Sequence, residues 1–174
     1  MMPRMPFVAL AGLLFGLLAL GCSGGSPSVD LGDQSTGNLL WGATHYMYED
    51  RDLDKALAYA DAGLELHGAE ARSQQASLSN FPPTDPPEAA YEYTALNNVG
   101  LIALARGEIL LAQGDRAAAS EAFSVVIEDF GYAQAQDLGE WQGYAESVPR
   151  DERGFIKLAE VAELRLAEIE AGRD

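Results

Sequence analysis

The stretch Gly107-Glu108-Ile109-Leu110-Leu111-Ala112-Gln113-Gly114-Asp115-Arg116-Ala117-Ala118-Ala119-Ser120-Glu121-Ala122-Phe123 decides the architecture. An apolar helical run ends at Gln113-Gly114, and an Ala-rich helix follows Asp115. Glycine tolerates the positive φ that closes a helix, and an aspartate at the next start accepts from free first-turn amides. Gly107 and Ala119 are small enough to let two such helices approach closely, while Leu110 and Phe123 are large enough to fill the space between them. The segment therefore predicts two antiparallel helices in close contact.

A second segment looks alike: Asp52-Leu53-Asp54-Lys55-Ala56-Leu57-Ala58-Tyr59-Ala60 against Asp115 to Phe123. Each follows a helix and a short polar turn. Past residue 35, Ala, Leu, Glu, Gln and Arg dominate and β-branched residues show no sustained alternation, so helices are expected and strands are not. Five helical segments are predicted, near 36–50, 53–67, 88–113, 115–129 and 152–171. Proline at 82, 83, 86 and 87 forbids helix interior across 81–87, because it lacks the amide donor and clashes with the preceding turn. Phe155, Leu158, Ala162, Leu166 and Ile169 form an apolar stripe at helical spacing in the last segment.

The paired segments resemble the tetratricopeptide repeat, a helix–turn–helix unit of about 34 residues with small residues where its helices cross. In the second copy Gly107, Leu110, Ala119 and Phe123 stand at the repeat's positions; in the first, Thr44, Met47, Ala56 and Ala60 do. Gly68 and Gly131 occupy the place of the family's terminal proline. Ala56 to Ala119 spans 63 residues, so the proline-rich connection and an early extension of the third helix interrupt the repeat. The resemblance implies an all-α, short helical-repeat stack of about five helices, closed by a C-terminal capping helix. A generic helical bundle with two Ala-rich turns is the plainer alternative.

The N-terminus carries its own signal. After Arg4, Phe7 to Leu20 is an uncharged run of 14 residues. About 20 apolar residues are needed to cross a bilayer, so the run fits a signal-peptide core better than a span. Leu18-Ala19-Leu20-Gly21-Cys22 resembles the lipobox of bacterial lipoproteins, which implies cleavage before Cys22 and lipid on its thiol. Ser23 follows the cysteine; by the same resemblance, the absence of Asp there points to the outer membrane, on its periplasmic face. Residues 22–34, rich in Gly, Ser and polar side chains, are expected to be a flexible tether with a typical span of about 20 Å. The expected organisation is a signal peptide over 1–21, the tether, and a helical domain over 35–174.

Cleavage leaves 174 − 21 = 153 residues with a formal charge of 10 − 27 = −17. That charge argues against nucleic acid, whose binding rests on Lys and Arg, and against direct adhesion to anionic lipid. It serves solubility, or it selects a basic partner. Cys22 is the only cysteine, so no disulfide forms within the chain.

The candidate sites are few. Asn38, Trp41, His45 and Tyr48 share one helix face at three- and four-residue spacing, and in tetratricopeptide proteins the aligned residues line a peptide-binding groove. The same stripe would equally suit core packing. Tyr132, Trp141 and Tyr144 form a second aromatic group, either a ligand-facing cluster or a loop folded under its own rings. Segment 81–87 reads as a polyproline ligand or a stiff linker. Asp50, Asp52, Asp54 and Asp61 imitate a calcium loop, but Lys55 stands where its glycine belongs. His45 and His67, the only histidines, lack metal-ligand spacing, and no nucleophile, phosphate-loop or zinc motif is present. No metal, cofactor or catalytic residue is expected. The reading is a non-enzymatic, lipid-anchored adaptor for an envelope protein; the alternative is a small-ligand-binding lipoprotein serving an envelope transporter, with a pocket near Trp41 and Trp141.

Overall fold

The computed structural model describes residues 29–84, 89, 92–136 and 154–173. Among them the chain forms an all-α stack of five helices: α1 (Thr36–Tyr48), α2 (Leu53–Ser77), α3 (Thr94–Ala112), α4 (Arg116–Asp129) and α5 (Leu158–Glu170). Helices α1 and α2 make one antiparallel pair and α3 and α4 another. α3 lies between α1 and α4, and α5 closes the stack against α4.

The two turns follow the same local chemistry. Asp52 and Asp115 each cap their helix, with a side-chain oxygen 3.0 Å from the amide of Lys55 or Ala118. The residue before each cap has positive φ: Arg51 at 57° and Gly114 at 85°. Glycine adopts that conformation freely, whereas a side chain there costs about 1–2 kcal/mol. Arg51→Gly is therefore expected to stabilise the protein by about 1 kcal/mol, read as a higher midpoint in urea. An unchanged or lower midpoint would mean that the Arg51 side chain contributes contacts that outweigh the strain.

The second pair packs as its residues imply. A Cβ placed on Gly107 would lie 2.7 Å from Cδ1 of Phe123, and Ala119 and Phe123 are fully buried. In the first pair the lock differs from the expected alignment. Thr44 is not at the crossing; its hydroxyl donates to the Leu40 carbonyl of its own helix at 3.0 Å. Gly42 takes that role, and the ring of Tyr59 fills its missing side chain. Gly42 lies ten residues before its Asp cap and Gly107 eight before its own, so the two crossings are out of register by two residues.

Two clusters make the core. One joins α1, α2 and α3 through Leu39, Ala43, Met47, Ala56, Tyr59, Ile102 and Ile109. The other joins α3, α4 and α5 through Leu96, Leu104, Phe123, Val126, Phe130 and Leu158. α3 belongs to both and is buried nearly all round. Its length and hydropathy would let it cross a membrane, but two thirds of its apolar window is covered by the other helices.

Four expectations need correction. α2 runs on to Ser77 instead of stopping near 67, because Ala71 is buried and Gln74 and Gln75 accept from the amides of Leu96 and Tyr132. α3 begins at Thr94 rather than 88, and Gln74 supplies the acceptor that its first turn lacks locally. Residues 155–157, assigned to the last helix by periodicity, form a short strand, β2 (Phe155–Lys157), antiparallel to β1 (Gln134–Gln136), with Ala135 opposite Ile156. The strand positions Leu158, whose amide donates to Ala133 at 3.1 Å. Finally, the expected tether ends before residue 34. Val29 and Leu31 pack on the first core cluster, and the carbonyls of Asp30, Leu31 and Gln34 meet Tyr59 Oη, Asn38 Nδ2 and His67 Nε2 at 2.9, 2.6 and 2.8 Å.

Candidate functional site

The α1 stripe lies opposite the face that carries Leu39, Ala43 and Met47, and it is not core. Trp41 is 53% exposed and Tyr48 49%. Trp41 stacks on His45 with ring centroids 4.4 Å apart and planes 12° from parallel. Tyr46 stands edge-on to both, at 6.3 and 5.3 Å. Behind Tyr46 lies Tyr59 at 5.4 Å, with Lys55 Nζ 3.9 Å over the Tyr46 ring. The exposed indole is thus braced by a chain of rings that ends in the Gly42 notch. His45 Nε2 lies 3.8 Å from Asp50 Oδ2. Asn38 does a different job. Its side chain donates to the Leu31 carbonyl and its backbone amide donates to the Ser35 hydroxyl oxygen, so it fastens the N-terminal segment.

Tyr48 leads from this stripe toward α3 and α5. Burial, then the negative charge of Glu108, holds its hydroxyl above its ordinary pKa. Glu108 is 8% exposed and pairs with Arg165 of α5, Oε1 to Nε 2.6 Å. Burial raises the Glu108 pKa, and the guanidinium opposes that rise. Burial also works against the charge of Arg165, but hydrogen bonds to Glu168 and Glu108 outweigh it and keep its pKa above the usual value. Arg165 Nη1 reaches Glu168 Oε2 at 2.8 Å. Sequence reasoning missed this group. Its signal was a carboxylate inside the apolar run of α3, where burial without a partner would be costly.

The remaining candidates hold structural posts. Asp54 accepts from Gln113 Nε2 at 3.0 Å, and Asp61 pairs with Arg106 at 2.7 Å. With Asp52 capping α2, three of the four calcium-loop carboxylates are engaged within the fold. Among the described residues no group of three or more His, Cys, Asp or Glu is placed to hold a metal. Tyr132 meets Phe81 edge-on at 5.5 Å and donates to the Ser79 carbonyl at 3.3 Å. Gln134 Nε2 donates to Pro82 at 3.0 Å, so the start of the proline segment is fastened to the domain. Cys22, Trp141 and Tyr144 lie outside the described residues. Leu64, Ala103, Arg106, Ala122 and Val125 line a small open depression between α2, α3 and α4. It lies away from Trp41.

The class is therefore an all-α helical stack with an exposed aromatic face on its first helix. No protein-family model, curated protein or solved structure matches the chain.

Proposed function

We propose that this protein is a lipid-anchored, periplasmic adaptor that docks a partner protein on the aromatic face of α1. The observation that carries the reading is the half-exposure of Trp41 and Tyr48 on a rigid backing of rings. Trp and Tyr are the side chains most often responsible for binding energy at interfaces, being large, stiff and partly polar. Two helix pairs with an aspartate cap and a glycine–aromatic lock in each support a tetratricopeptide-like stack, a fold whose surfaces serve recognition. The lipobox-like residues before Cys22 support the anchor, and Ser23 supports the outer membrane. Residues 29–34 are docked on the domain, which shortens the tether and would hold the aromatic face near the bilayer.

Two measurements test the reading. Cys22→Ala should leave the precursor uncleaved and without lipid; lipid labelling at the native level would overturn the anchor. Native mass spectrometry of the protein solubilised in detergent should show a stoichiometric protein partner. Bound small molecules alone would favour the transporter-accessory alternative.

A further inference from the structure

Resting on the docking reading above, we infer that the occupant of the α1 face is a cationic segment of another protein, with an Arg or Lys side chain laid on the open face of Trp41. The acceptor is an exposed indole, the aromatic ring that attracts cations best. One face of its ring is covered by His45 at 4.4 Å, and the half-exposure of Trp41 leaves contact area for one flat partner. A guanidinium fits that geometry: it is planar, weakly hydrated and stacks on aromatic faces.

The charges around the face select the same occupant. Glu49 and Asp50 follow Tyr48 directly, and Asp50 Oδ2 lies 3.8 Å from Nε2 of His45, the ring that backs Trp41. Lys55 is held over the Tyr46 ring. Beyond Tyr48, two carboxylates, Glu108 and Glu168, share one guanidinium, Arg165. A second copy of the chain cleaved before Cys22 would bring −17 against −17, and an anionic lipid surface would meet the same repulsion. A cationic segment alone gains from both the ring and the field.

The test uses the full chain in detergent with Trp141→Phe, so that Trp41 is the one tryptophan left to report. Three short peptides of one apolar frame carry Arg, Gln or Glu at the same positions. The Arg peptide should quench Trp41 and bind about tenfold tighter than the Gln peptide, with the Glu peptide weakest. Tyr48→Ala, which leaves the net charge unchanged, should weaken the Arg peptide several-fold. Equal binding of the Arg and Gln peptides at Trp41 would overturn the cationic assignment while keeping the docking surface. No response of Trp41 to any peptide would remove the surface itself. Binding of the Arg peptide that ignores Tyr48→Ala and leaves Trp41 fluorescence unmoved would be diffuse attraction to an acidic protein, and the inference would fall. Sedimentation showing a dimer that Tyr48→Ala dissolves would give the face to a second copy and likewise overturn it.

Discussion

Gly107→Leu is expected to destabilise the protein by about 3 kcal/mol, the upper part of the usual range for overpacked cores. For a chain of this size that is a fall of roughly 10 °C in Tm. The first atom of the new side chain would already sit 2.7 Å from Cδ1 and 2.8 Å from Cζ of Phe123. Phe123 has nowhere to go, since it is fully buried among Leu104, Ala119, Val126 and their neighbours. Relief requires α3 and α4 to separate, and that opens the main core. Gly42→Leu meets the same obstacle at Tyr59, a ring 5% exposed in the first core cluster, packed on Tyr46 and bonded to the Asp30 carbonyl, so a comparable fall is expected there. Thermal unfolding followed by circular dichroism measures both. If Gly107→Leu melted at the native temperature, the close crossing of α3 and α4 would be wrong.

Trp41→Ala is expected to separate binding from folding. Truncating a buried tryptophan costs about 3–5 kcal/mol of stability, whereas surface substitutions usually stay within about 0.5 kcal/mol. Trp41 is 53% exposed and rests on His45 alone at stacking distance, so stability should move little. Partner affinity should fall by about 2 kcal/mol or more, as interface anchors do. Unfolding of the variant would return the stripe to the core. Native stability with native binding would make the ring incidental and take the proposed docking surface with it. Both quantities must come from the same preparation, because a partially unfolded sample would mimic lost affinity.

The parts of the fold legible in the sequence are those governed by neighbours along the chain. Asp52 and Asp115 start helices because a carboxylate can reach an amide three residues on. Gly114 ends one because positive φ is free to it. The repeat resemblance put Gly107 and Ala119 at a close crossing with Phe123 as a filler, and the structure seats the Phe123 ring against Gly107. The first pair was misaligned: a fixed offset pointed to Thr44, but the small position is Gly42, two residues earlier. The site was legible in part. Spacing put Trp41, His45 and Tyr48 on one face, yet spacing is the same for a groove and for a core.

The sequence by itself determined the all-α class, the two helix pairs and their turns, the acidic charge, and which aromatic side chains share a face of α1. Each follows from interactions a few residues long or from composition. Only the tertiary structure decided where α2 ends and α3 begins, because Gln74 and Gln75 find their partners 22 and 57 residues away. It decided that 155–157 is a strand, since Phe155 fits a helical stripe as well as it fits a ladder and the partner strand lies at 134–136. It joined Glu108 to Arg165 across 57 residues. Above all it left the Trp41 face uncovered. Exposure depends on what packs from elsewhere, and among the described residues α2 and α3 cover the opposite face of α1 and leave this one to solvent.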